Sequence, residues 1–195
     1  MPDCAFVGTG LQRLSTLLSV VFVIGGCSVS GDTTKADVTQ ARRFDKFPLY
    51  WVGRRFEKWE LEAVDGLRAP ARFVTLIYGT CTPHDGDEPS CVPPIEIQVS
   101  PLCSHLDVVA ARPIWKRRRI RGAPVGSNPD GAPVLFSRRA QVKVYRGEST
   151  DPGVALRVLG ALRSLNRVGP VIDSMRPIPA APQAVLGGMR TCTTR

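Results

Sequence analysis

Two runs set the class of fold: Arg72-Phe73-Val74-Thr75-Leu76-Ile77-Tyr78, closed by Gly79, and Ile95-Glu96-Ile97-Gln98-Val99. The first is crowded with β-branched and aromatic residues. The second alternates apolar with polar at every step, the period of a strand with one face in a core. Only a polar interval, residues 81–94, lies between them, so they are predicted to pair as antiparallel neighbours.

Working outward, Phe47-Pro48-Leu49-Tyr50-Trp51-Val52 opens the apolar part of the chain. Phe56, Trp59 and Leu61 continue it, interleaved with Glu57, Lys58, Glu60 and Glu62, as suits a half-buried strand. On the other side, Ser104-His105-Leu106-Asp107 reads as a short helix start, limited by Pro113. Ile114 to Arg121 and Val134 to Arg146 read as further strands, joined as a hairpin through the turn residues Ser127-Asn128-Pro129-Asp130-Gly131. The clearest helix follows Asp151-Pro152, a cap with proline at the first helical position, and Ala155, Val158, Leu159, Leu162 and Leu165 form its apolar stripe. The expected class is therefore α+β: a small antiparallel sheet with one amphipathic helix packed on a face, plus a disulfide-stapled loop.

The composition fits one modest domain. At 195 residues the chain excludes a large multidomain enzyme, and 43% hydrophobic residues suffice for a core. Eighteen glycines and 17 prolines exceed the usual share without reaching that of a low-complexity chain, which predicts loop-rich segments around a folded centre.

The amino-terminal segment supplies an address. Leu14 to Gly26 carries no charge and is followed by Cys27. A membrane-spanning helix needs about 20 apolar residues, so this shorter run fits the apolar region of an export signal. Ile24-Gly25-Gly26-Cys27 resembles the bacterial lipobox, in which the cysteine thiol forms a thioether to diacylglycerol and becomes the new amino terminus. Two acyl chains, at about 0.8 kcal/mol per buried methylene, anchor far better than one. The resulting division is a lipoprotein signal peptide over 1–26, a flexible tether over 27–46, a globular domain over 47–167 and a Pro-rich extended tail over 168–195. The tether is assigned because residues 28–43 are polar and almost free of large apolar side chains.

Export also governs the cysteines. With Cys27 as anchor, Cys81, Cys91, Cys103 and Cys192 remain in the domain and tail, an even set that oxidising surroundings can pair in three ways. Cys81 with Cys91 closes a short loop between paired strands, worth roughly 2 to 3 kcal/mol by the chain-entropy model; Cys103 then pairs with Cys192 or stays free. Zinc across Cys81, His84, Cys103 and His105 is the weaker reading, because exported thiols oxidise. Asp85, Asp87 and Glu88 lack the spacing of a calcium loop and read as a solvated acidic tip. No metal and no cofactor is expected.

Taken together, Ile77-Tyr78-Gly79-Thr80-Cys81, then Cys91-Val92-Pro93-Pro94-Ile95-Glu96-Ile97-Gln98-Val99, then Cys103 resemble a family of uncharacterised secreted lipoproteins of actinobacterial type. These envelope proteins share Tyr-Gly-x-Cys, Cys-x-Pro-Pro and a Val-Gln-Val-like run. The resemblance covers residues 73–103, with a weaker likeness through Leu159–Asn166, and Ser100 stands where such proteins often carry an aromatic residue. An excess of arginine over lysine, 21 to 5, agrees with a GC-rich genome. The resemblance implies an envelope location and no catalytic residues.

For function, 26 basic against 17 acidic residues, a formal charge of +9, favours anionic partners. Lys116, Arg117, Arg118, Arg119 and Arg121 fall on one expected strand, and Arg138, Arg139, Lys143 and Arg146 on its expected neighbour, so the hairpin should present a positive surface to anionic lipid or wall polymer. Edge-strand protection is the plainer role for the same charges. Nucleic acid is not expected, since the cluster lacks an interleaved aromatic platform. No phosphate-cradling glycine loop, Gly-x-Ser-x-Gly elbow or His-Glu-x-x-His pair is found. Ser104, His105 and Asp107 crowd one turn and read as a capped helix rather than a triad. The expected role is thus a membrane-anchored extracytoplasmic binding or structural module, with a hydrolase of envelope material as the alternative.

Overall fold

In a computed structural model, residues 31–68, 70, 72–80, 82–83, 91–102, 104 and 118–186 are described. The elements run α1 (Gly31–Arg43), β1 (Tyr50–Trp51), β2 (Arg55–Phe56), β3 (Trp59–Asp65), β4 (Val74–Tyr78), β5 (Thr82–Pro83), β6 (Cys91–Val92), β7 (Ile95–Pro101), β8 (Arg119–Ile120), β9 (Ala123–Ser127), β10 (Pro133–Phe136), β11 (Ala140–Arg146), α2 (Val154–Ala161), β12 (Arg163–Ser164) and α3 (Gln183–Leu186). The chain is mainly antiparallel sheet with helices packed on it. An eight-stranded sheet has the order β2-β3-β4-β7-β11-β10-β9-β8, and β1-β12 and β5-β6 form two small ribbons.

The two deciding runs are β4 and β7, and they pair as expected, with Val74 opposite Val99, Leu76 opposite Ile97 and Tyr78 opposite Ile95. All six side chains are essentially buried on one face. Val142 and Val144 extend that face across β11, Leu135 and Val125 across β10 and β9, and Leu61 and Val64 across β3. Helices α1 and α2 cover it, α1 against β3 and α2 against β10 and β11. On the opposite face Val134, Phe136 and Leu102 join Ala181 and Leu186 in a second, smaller core.

Several expectations are corrected. The sheet is larger than the small one expected, because the strand expected over Val134 to Arg146 is divided by a turn into β10 and β11, and β8 and β9 extend the sheet beyond them. Val134 to Arg146 breaks at Ser137-Arg138-Arg139, where the Ser137 hydroxyl donates to Ala140 O (2.7 Å) and accepts from Ala140 N (3.1 Å). Of the strand expected over Ile114 to Arg121, only β8 lies within the described residues, and it pairs with β9 rather than with the 134–146 segment. The Ser127–Gly131 connector does form a hairpin turn, but between β9 and β10. Asn128 builds it, accepting at Oδ1 from Ala132 N at 2.7 Å.

The segment assigned to a flexible tether is largely helix. α1 buries Val38 and Ala41 and ends against buried Phe44, a narrow stripe in an otherwise polar sequence. So sparse a stripe gives little signal by itself, and packing against β3 stabilises the helix. The folded domain accordingly begins before residue 47. It also extends beyond 167: the expected extended tail crosses the molecule with Ile172, Ile178, Ala181 and Leu186 buried, and its prolines leave room for the residues that do donate, Ile178 N to Arg121 O and Ala181 N to Phe136 O.

Helix α2 also differs in detail. Its cap position is Gly153, while the Asp151 side chain accepts from Gly153 N at 3.1 Å. Val154, Ala155, Val158 and Leu159 are its buried residues. Leu162 and Leu165 are buried beyond its end, where the chain becomes extended and Arg163–Ser164 pair with Tyr50–Trp51. The short helix expected at Ser104–Asp107 lies almost wholly outside the described residues.

Candidate functional site

The expected cation surface is only partly assembled. Lys116 and Arg117 lie outside the described residues. Arg118 and Arg119 are exposed on the edge of the sheet, and Arg138 and Arg139 are exposed at the β10–β11 turn. A bridge of backbone bonds joins these two turns: Ile178 N donates to Arg121 O (2.8 Å) and Arg138 N to Pro179 O (2.7 Å).

Arg121 does not belong to that surface. It opens the two-residue β8–β9 turn with φ 50°, followed by Gly122 at φ 85°, the left-handed pair that suits a tight hairpin. Its guanidinium donates to Arg176 O at 2.9 Å and also reaches the carbonyls of Leu162 and Asp173. Partial burial lowers its pKa, with Asp173 opposing that effect. Arg121 therefore clamps the end of α2 and the 173–176 turn to the sheet. Lys143 is corrected likewise: it is 7% exposed on β11 and already engaged, so it adds nothing to an outer charge surface. Arg146 is exposed but donates to Thr150 O at 3.1 Å.

A groove of about 440 Å³ lies between the β9–β10 turn and α2, lined among others by Arg118, Asp130, Tyr145, Arg146, Glu148 and Leu156. Asn128 Nδ2 donates to both Asp130 Oδ2 (3.0 Å) and the Tyr145 hydroxyl (3.2 Å), which fixes the groove's polar wall. Its charges are mixed, two basic and two acidic, so it favours no net sign of ligand.

The structure also assembles a second basic site that the linear sequence conceals. Arg42, Arg43, Leu165 and Arg167 line a groove of about 500 Å³. The buried Asn166 side chain builds it: Nδ2 donates to Phe44 O (2.9 Å) and Phe47 O (2.8 Å), and Oδ1 accepts from Leu49 N (2.9 Å). Leu165 N donates to Leu49 O at 2.8 Å. These bonds seat the end of α1 beside Arg167, more than a hundred residues distant in sequence.

Trp51 completes the arrangement. Arg42 and Arg163 lie over its ring, with guanidinium carbons 6.0 and 5.6 Å from the centroid. Arg163 also donates to Val52 O at 3.1 Å. Gly53, at φ 105°, leaves the space the Arg163 side chain occupies, since a Cβ there would collide with that guanidinium. The Tyr78 hydroxyl holds the same loop, donating to Gly53 O (2.9 Å) and accepting from Val52 N (3.3 Å). Among the described residues no carboxylate pairs with Arg42, Arg43 or Arg167. The adjacent Arg42-Arg43 pair was a visible signal, but nothing in the sequence placed Arg163 and Arg167 beside it.

Cys81, Cys103 and Cys192 lie outside the described residues, as do His84 and His105, so the disulfide pairings and the zinc alternative fall there too. Cys27 and the Leu14–Gly26 run do as well. Among the described residues no helix is long and apolar enough to cross a membrane. The chain matches no protein-family model, no curated protein and no solved structure.

Proposed function

We propose that the chain is a lipid-anchored module on the extracytoplasmic face of the cell membrane, held through a thioether at Cys27. Its task is binding anionic envelope material, lipid headgroups or wall polymer, without a reaction of its own. One observation carries the reading: the uncharged run Leu14 to Gly26, too short to span a bilayer, ends in Ile24-Gly25-Gly26-Cys27. The exposed Arg118, Arg119, Arg138 and Arg139 support the binding role, each adding about 1 kcal/mol of attraction at an acidic surface. A Cys81–Cys91 staple belongs to the same reading. β5 starts at the residue after Cys81 and pairs with β6, which starts at Cys91, so the ladder already draws the two segments together.

Intact-mass measurement of the chain purified from its native membrane tests the anchor. A diacylglyceryl adduct on an amino-terminal Cys27 is expected, and Cys27→Ser should move the chain to the soluble exported fraction; an unmodified thiol on native material sinks the reading. A hydrolase remains the second reading, because Asp130 and Glu148 share the 440 Å³ groove, a size suited to small molecules. Turnover of envelope esters or glycans that Asp130→Asn and Glu148→Gln abolish would favour it.

A further inference from the structure

The groove formed by Arg42, Arg43, Leu165 and Arg167 has no part in the cation cluster legible in the sequence, and the buried Asn166 holds its two sides together. We propose that it is a phosphate-headgroup site through which the domain seats itself on the membrane beside its own anchor; this orientation rests on the lipid-anchor reading.

Like charges gathered around one groove repel one another, and an incoming anion relieves that repulsion. The helix macrodipole accounts for Arg42 and Arg43, which stand in the last turn of α1 where cations are favoured, but it gives no reason for Arg167. The position of Arg167 is imposed by the three Asn166 bonds. Guanidinium groups suit phosphate because their planar forks meet its oxygens two at a time. Arg42 is already oriented by the Trp51 ring, so less side-chain freedom is lost on binding.

Chain length selects a lipid headgroup as the source of the phosphate. α1 has 13 residues, about 20 Å at 1.5 Å per residue. The steps from Cys27 to Gly31 add at most about 14 Å. A membrane-held Cys27 therefore keeps Arg42 and Arg43 within about 35 Å of the bilayer surface, and close approach needs no further linker.

The test uses the full-length chain carrying Cys27→Ser, so that vesicle binding reports the groove and not the anchor. Cosedimentation is measured with vesicles of about 30% phosphatidylglycerol in phosphatidylcholine and with pure phosphatidylcholine, and each variant is read against the parent carrying the same leader. The parent should bind the anionic vesicles at least about tenfold better, and Arg42→Ala/Arg43→Ala/Arg167→Ala should lose most of that preference. Arg118→Ala/Arg119→Ala/Arg138→Ala, at the sheet edge, removes the same amount of charge and weakens the general attraction, but it should lose at least about threefold less of that preference than the groove variant. A groove variant that binds like the parent, or an edge variant that accounts for the loss, overturns the proposal. Inorganic phosphate is titrated as a competitor, and release of the parent at low phosphate makes the site one for the free anion, overturning the lipid source. The arginines are exposed, so the variants should keep the parental unfolding midpoint; Arg167→Glu alone gives a second reading with a smaller change. Failure in vesicles leaves a lipidated Cys27 standing, and an unmodified Cys27 leaves vesicle binding standing, so the two claims fail separately.

Discussion

At the scale of single residues, buried polar groups fix the loops that position the arginines. Asn166 is 4% exposed and satisfies three backbone groups at once, so Asn166→Ala leaves two carbonyls and one N–H without partners. A loss of about 3 kcal/mol is expected by urea denaturation, together with weaker anionic-vesicle binding as the end of α1 parts from Arg167. Tyr78 makes a sharper prediction. Burial raises its phenol pKa well above the ordinary value of 10, while the Val52 N–H and Arg163 act in the opposite direction. The folded state therefore holds the proton longer than the unfolded state, and the stability this gives is complete below about pH 10 and lost as pH rises beyond it. Tyr78→Phe should cost about 1 to 3 kcal/mol at neutral pH and flatten the fall in stability between pH 10 and 12, measured by denaturant unfolding across that range. Neither role was legible beforehand: a tyrosine ending a strand and an asparagine after a helix are ordinary in sequence, and their partners come from elsewhere in the chain.

At the scale of elements, the strap after β12 is held in large part by one side chain from the β8–β9 turn. Arg121→Ala strands the carbonyls of Leu162, Asp173 and Arg176, and it should speed proteolysis within residues 173–180 while leaving the β4–β7 pair protected from hydrogen exchange. Asp173 caps the strap's turn, accepting from Met175 N and Arg176 N at 2.9 Å each. Those bonds lower its pKa, with Arg176 and Arg121 adding to them. A lowered folded value means stability that is present above the unfolded pKa, about 3.9, and lost as pH falls through the folded value. Strap release on acidification below about pH 4 is thus expected by hydrogen exchange, with Asp173→Asn showing the same looseness already at pH 7. The sequence pointed to β4, β7 and α2 because each buries a full periodic face. It missed α1 and the strap because each contributes only scattered apolar residues, whose burial depends on surfaces made by other elements.

At the scale of the whole molecule, a formal charge of +9 spread over several patches gives long-range attraction to any anionic surface, and it is the local arrangement that distinguishes one patch from another. Raising salt from about 0.1 M to about 1 M shortens the screening length from about 10 Å to about 3 Å, so anionic-vesicle binding should fall steeply. The residual binding at high salt should depend more on the Arg42, Arg43 and Arg167 groove than on the sheet edge, because close bidentate contacts are screened less than diffuse attraction. The sequence by itself determined the central antiparallel pair and the amphipathic α2, since both are written in neighbouring residues whose periodicity needs no partner to be recognised. Only the tertiary structure decided that Arg121 is a clamp, that Lys143 is buried, and that Arg42, Arg43 and Arg167 share a groove. Those outcomes depend on hydrogen bonds and packing between segments far apart in the chain, and no local pattern encodes which distant segment will arrive.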